Sequence, residues 1–245
     1  YDTGALGDAE LYVEGLYSHR ESSQVSYRQL TLDYMKNSPL IPANLRFSTF
    51  STATAVSNGA LVGVRAFIGF GNTHSSQEVD FTKVGGGLRG NFLFDGWRYD
   101  LYVGSTWNDA SYTMESFLTS RVAQSLNVVS DGAGGYRCVD TSNGCVAAPA
   151  LTPAVVSGNL PAAYRNFILQ EVTGNTKYDE QVVNFSIDGS LFHLPYGDVQ
   201  AAFGLEYRHA HINDVPGIEM QNSNLYNLTS AGITPGRTVL PSGYP

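Results

Sequence analysis

The sequence predicts an all-β protein: an antiparallel, up-and-down transmembrane β-barrel, of which this chain supplies an incomplete segment of about six long strands with long outer loops. Three observations carry that prediction. A strand ends in a tryptophan on each side, the connections alternate between short and long, and the composition is rich in glycine and aromatics but poor in charge. The strand is WRYDLYVGSTW, Trp97 to Trp107. Trp97, Tyr99, Leu101, Val103, Ser105 and Trp107 fall on one face, and Arg98, Asp100, Tyr102, Gly104, Thr106 and Asn108 on the other. Ten steps of about 3.3 Å, tilted by about 45°, rise about 23 Å, close to the roughly 25 Å apolar band of an outer-membrane barrel between its two aromatic girdles.

Alternation with period two places the other strands. The first runs from Ala9 to Ser22, with Leu11, Val13, Gly15 and Tyr17 opposite Glu10, Tyr12, Glu14 and Ser18. Val25 to Ser57 reads as irregular, because Asn37-Ser38-Pro39 and Ile41-Pro42 do not suit a central strand. A second strand is predicted from Ala60 to Thr73 and a third from Val79 to Leu93, joined by a link of intermediate length at Thr73–Glu78. The turn Phe94-Asp95-Gly96, with its Asp-Gly hairpin signal, leads into the Trp97 strand, which continues to Met114. Glu115 to Thr176 alternates poorly, and Ser116 to Val129 reads as a helical or re-entrant piece. A fifth strand spans Tyr178 to Leu194; Pro195-Tyr196-Gly197-Asp198 turns into a sixth, where Val199, Ala201, Phe203, Leu205 and Tyr207 alternate with Gln200, Ala202, Gly204, Glu206 and Arg208. Tight turns on one side and the long connections 23–59, 115–177 and 213–245 on the other are the habit of outer-membrane barrels.

The chain has 26 Gly, 15 Tyr and 12 Phe in 245 residues and only 15% charged residues, against about 25% in ordinary soluble domains. No run approaches the roughly 18 apolar residues of a membrane helix, so any span must be made of strands. The net charge of −8 argues against a nucleic-acid partner. Cys138 and Cys145 sit in a Gly/Ser/Asn-rich loop without two further metal ligands in register, which favours a local disulfide and an oxidising compartment. Tyr1-Asp2-Thr3-Gly4 has no signal-peptide pattern. About six strands cannot close a barrel whose smallest class has about eight, and Gly243-Tyr244-Pro245 is loop-like. Residues 1–245 are therefore expected to be one partial β-barrel domain, an internal slice without plug or C-terminal closing strand.

Candidate chemistry is sparse. His209 and His211 share a strand face, as metal ligands or, by the better reading, interfacial histidines near lipid head groups. No Gly-x-Ser-x-Gly elbow supports a hydrolase. Gly85-Gly86-Gly87 lies inside an alternating strand, and its glycines read as places of close packing or bending rather than a phosphate loop. No carboxylate run matches a calcium loop. Glu10, Glu14, Arg65, Arg89, Arg98, Asp100, Asp188, Glu206 and Arg208 fall in the polar phase and are expected to pair across strands in a polar interior, or to line a path. The loop aromatics Tyr27, Tyr34, Phe47, Phe50, Tyr136, Tyr164, Phe167 and Tyr226 can stack on a ligand or pack among the loops; the sequence does not separate these.

Three stretches carry a family resemblance: Asn37-Ser-Pro-Leu-Ile-Pro-Ala-Asn-Leu45; Gly87-Leu-Arg-Gly90 with Trp97-Arg-Tyr-Asp100, Leu126-Asn-Val-Val129 and the cysteine pair; and, most specific, Ser190-Leu-Phe-His-Leu-Pro-Tyr-Gly-Asp198 leading to Phe203-Gly-Leu-Glu-Tyr-Arg208. Across most of its length the chain resembles the barrel part of TonB-dependent outer-membrane receptors, particularly the large receptors of alphaproteobacterial and sphingomonad type. The resemblance implies a barrel of about 22 strands, closed by a plug and located in the outer membrane of a Gram-negative bacterium. It implies non-enzymatic, energised uptake of a scarce small ligand, without cofactor. The implied partners are the TonB–ExbB–ExbD system acting through a plug absent from this chain, and lipid and lipopolysaccharide; the resemblance is compatible with a receptor that works alone or with a surface lipoprotein. Ligand contacts would come from the outer loops alone. The competing expectations are a passive porin or structural barrel, and an outer-membrane hydrolase.

Overall fold

A computed structural model describes residues 6–45, 62–92, 94–222 and 224–226. Five long strands form one sheet in the order β1-β2-β3-β6-β7: β1 (Glu10–Met35), β2 (Val62–Asn91), β3 (Trp97–Phe117), β6 (Leu169–Leu194) and β7 (Gly197–Val215). Two three-residue strands, β4 (Val128–Ser130) and β5 (Tyr136–Cys138), pair antiparallel as a separate hairpin. Among the described residues no helix is long and apolar enough to cross a membrane. The long strands follow chain order, so each pairs with its sequence neighbour among them. β6 and β7 run antiparallel from Asn175↔Val215 to Leu194↔Gly197, with one irregularity between Ser190 and Phe192.

The expectation of about six long strands is corrected to five among the described residues. Residues 60–73 and 79–93 are not two strands joined at Thr73–Glu78; they belong to a single 30-residue β2. The link Thr-His-Ser-Ser-Gln-Glu is polar on both faces, which mimics a loop, yet it holds no proline or glycine to reverse the chain. Likewise β1 runs on to Met35, through a stretch read as irregular, because Pro39 and Pro42 come only after the strand has ended. Ala60 and Leu93, at the ends of the predicted second and third strands, lie outside the described residues, as do Phe47, Phe50 and Gly243-Tyr244-Pro245. With the false link removed, short turns join β2 to β3 and β6 to β7, while long connections follow β1 and β3. At the first short turn Gly96 has φ +78°, which a side chain would resist, and Phe92 N–H donates to the Trp97 carbonyl at 2.8 Å.

The chain divides into two compact units. The first comprises Tyr1–Ser22, Gln77–Tyr112 and Gly174–Val215; the second comprises Ser23–Ser76, Thr113–Thr173 and Pro216–Pro245. They differ in kind. In the first unit many large apolar side chains of the sheet stay exposed, Val13 at 81%, Leu205 at 73% and Val103 at 51%, while Leu88, Leu101 and Phe185 are half-buried.

The second unit holds the hydrophobic core. Leu30, Leu32 and Tyr34 of β1 and Ile68 and Phe70 of β2 are buried together with α1 (Thr119–Leu126), α2 (Pro153–Val156), α3 (Ala162–Ile168) and Tyr226. The predicted helical piece at 116–129 is α1, which buries Val122, Ala123 and Leu126. Thr152 caps α2, its hydroxyl accepting from Val155 N–H at 3.2 Å, with Pro153 in the first turn. A short α4 (Ile218–Gln221) follows β7. Asn224 ties α1 down: its carbonyl accepts from Thr119 N–H and its side-chain oxygen from Ser120 N–H.

Candidate functional site

Period-two alternation sorts the first unit into a polar and an apolar face. On the polar face Arg89 bridges to Glu10 at 2.8 Å and Lys83 to Glu14 at 2.7 Å. Tyr12 O–H donates to Asp100 at 2.8 Å, and Tyr102 O–H to Glu14 at 2.6 Å. The cations also cover the rings, Arg89 over Tyr12 and Lys83 over Tyr102. The glycines of Gly85-Gly86-Gly87 have a local reason: a Cβ at Gly85 would lie 2.8 Å from Tyr102 Cζ, and one at Gly87 2.5 Å from Tyr12 Cζ. The missing side chains let two tyrosines lie across the sheet.

The expected pairing of polar-phase charges across strands is therefore observed for Glu10, Glu14, Arg89 and Arg208, the last contacting Glu180 of β6 at 3.5 Å and also its own-strand neighbour Glu206 at 3.1 Å; Asp100 is bonded to a tyrosine instead. Arg98 and Asp188 stand exposed on β3 and β6. Arg65 lies in the second unit and makes a two-pronged bridge to Asp33, at 2.6 and 2.7 Å. That bond holds the Arg65 guanidinium in its charged form even more firmly than usual.

The opposite face carries Val13, Val84, Leu88, Leu101 and Val103, with Trp97 stacked on Phe203 at 6.4 Å and an interplanar angle of 11°. Next to Leu88, Leu101 and Phe185 an apolar hollow opens.

His209 and His211 sit on β7 opposite Gln181 and Asp179, both exposed, with His211 Nδ1 3.7 Å from Asp179. The His/carboxylate group that gathers most closely among the described residues is a different one, His19, Glu21 and Glu78, whose ligand atoms lie within 4.8 Å of one another. Asp80 accepts from both Tyr17 O–H, at 2.7 Å, and the His19 ring, at 2.9 Å. Sequence reading missed this grouping because strand register, not spacing, brings Glu78 and Asp80 to His19.

In the second unit Cys138 and Cys145 form the predicted disulfide, with Cα atoms 6.2 Å apart. Four of the loop aromatics, Tyr34, Tyr164, Phe167 and Tyr226, are core residues, so packing rather than ligand stacking accounts for them. Burial raises the pKa of Tyr34, Tyr164 and Tyr226 well above the ordinary tyrosine value. Tyr136 packs against the core and donates to the Pro39 carbonyl at 3.1 Å, whereas Tyr27 is exposed. Three arginines lie over rings: Arg165 over Phe70, Arg28 over Phe117 and Arg121 over Phe167. Across β1, β2, β3 and β6 the same unit holds a polar cleft whose walls include Glu115, Glu171 and His74.

No protein family, curated protein or solved structure matches this chain.

Proposed function

We propose that this chain is part of the wall of an outer-membrane β-barrel that takes up a scarce ligand with TonB-derived energy. One observation carries the reading: on one face of the first unit's sheet large apolar side chains, Val13, Val103, Trp107 and Leu205 among them, find no protein core to cover them, while on the other face Arg89 pairs with Glu10 and Lys83 with Glu14. In water that arrangement is unfavourable, at about 25 cal/mol per Å² of apolar surface left exposed. In a bilayer the exposed face is solvated by acyl chains and the polar face belongs to a wet or plugged interior. The two sheet edges, β1 and β7, then require further strands, since an open edge in hydrocarbon is not tolerated. The energised mechanism, the plug and the TonB–ExbB–ExbD partners come from the family resemblance of the sequence, and the location in a Gram-negative outer membrane follows with them.

The test is fractionation of cells producing the protein, followed by electrophoresis with and without heating. A heat-modifiable band in the outer-membrane fraction supports the barrel, and a soluble periplasmic protein overturns it. Ligand accumulation that stops when a protonophore collapses the proton gradient supports energised uptake; accumulation that continues identifies a passive porin instead.

A further inference from the structure

The polar cleft of the second unit has a lining of one-sided charge. It has a volume of about 310 Å³, at the lower end for small-molecule sites. A bare metal ion, held by oxygens at about 2.3–2.6 Å, would occupy only a corner of it. Hydroxyls of Ser23, Ser76 and Thr113, the His74 residue, and the carboxylates of Glu115 and Glu171 line the walls.

Two features set the charge of the occupant. The lining contains two carboxylates and neither lysine nor arginine, which disfavours an anion and leaves negative charge to be compensated. Glu115 is also held in place: its Oε2 accepts His74 N–H at 2.6 Å, which leaves Oε1 for a second donor. Thr113 is fixed by its hydroxyl contact with Thr173 at 2.9 Å. The hydroxyls of Ser23 and Ser76 both donate and accept, and so match a ligand bearing several hydroxyls. Val25 offers a small apolar surface for a ring face.

We propose that this cleft binds an amino sugar, its ammonium paired with the Glu115 and Glu171 carboxylates and its ring hydroxyls bonded to Ser23 and Ser76. The same chemistry is offered by a free saccharide and by an outer-leaflet glycolipid whose head group keeps an unacylated amino sugar, so the lipopolysaccharide titrated must carry one. A role in uptake rests on the barrel reading above, whereas the binding does not; fractionation tests the first and titration the second.

The experiment titrates the full protein in detergent micelles with glucosamine, N-acetylglucosamine and glucuronate, and separately with lipopolysaccharide in mixed micelles. Glucosamine is expected to bind about tenfold more tightly than its neutral N-acetyl form, with glucuronate weakest. Glu171→Gln should remove that preference, and Ser76→Ala should weaken both neutral and cationic sugars, with near-UV circular dichroism unchanged. A preference seen with the free sugar assigns a soluble ligand. One seen only with lipopolysaccharide, and lost in Glu171→Gln, assigns the glycolipid. Equal affinity for the three sugars without binding to lipopolysaccharide, or a preference that survives both Glu171→Gln and Glu115→Gln, overturns the proposal.

Discussion

Trp97 lies directly over Gly189: a Cβ at position 189 would meet the indole at 2.5 Å, and the indole Nε1–H donates to the Ser190 carbonyl at 3.0 Å. The ring is thus placed by an absent side chain on β6 and a carbonyl beside it, and from there it stacks on Phe203 of β7. Trp97 is a packed group with one polar bond.

That relationship predicts an asymmetry between two glycines. Gly189→Val should expel Trp97 from its seat and destabilise the protein by about 1–3 kcal/mol, as overpacking does. Gly204→Ala should be nearly silent, since the nearest atom to its added Cβ, the Phe185 carbonyl oxygen, is 3.8 Å away. Denaturant titrations followed by tryptophan emission check both. A Gly189→Val protein with wild-type emission and midpoint would show that the contact does not hold the ring.

A second pair ties β1 to β2 within the second unit. Arg65 reaches Asp33 through both Nε and Nη2, and both side chains are mostly shielded from solvent. Asp33→Asn removes the charge and one acceptor, and should cost about 1.5–3 kcal/mol. Arg65→Met in that background should recover part of the loss, because the unpaired guanidinium goes with it. Chemical denaturation of the two variants and their double mutant reads this out; additive losses would mean the bridge is not coupled.

Legibility followed the environment of each segment. The hairpin turns at Asp95-Gly96 and Tyr196-Gly197 carry their own backbone chemistry, and Val199–Tyr207 alternates because its two faces differ, so these were readable from sequence. The Thr73–Glu78 stretch and the second half of β1 were not: Leu30, Thr31, Leu32 and Tyr34 are all buried, which erases the alternation. The disulfide was legible from two cysteines in one loop. The polar cleft was not, because its walls come from strands as far apart in sequence as Ser23 and Glu171.

The disulfide supports a third prediction. Cys138 ends β5 and its bond to Cys145 closes a short loop beside Val146 and Tyr136, which pack on the core. Loop closure over a sequence separation of 7 residues predicts a stabilisation of about 2–3 kcal/mol. Replacing both cysteines by alanine should speed amide exchange in β4, β5 and α1 while leaving β7 unchanged. Exchange that accelerates equally in β7 would show that the bond stabilises more than its own unit.

The buried tyrosines predict where the second unit fails on the alkaline side. Tyr34, Tyr164 and Tyr226 ionise near pH 10 in an unfolded chain, and burial raises their folded values well beyond that. A folded pKa above the unfolded one means that the contribution is fully present below pH 10 and is lost as pH climbs from there toward the folded value. Absorbance at the phenolate band should therefore show the phenolates of the buried three appearing only together with loss of near-UV dichroism. Tyr164→Phe keeps the ring and removes an ionisable hydroxyl from a fully buried position, so it should move that alkaline transition upward. A transition that stays in place would assign alkaline unfolding to other groups.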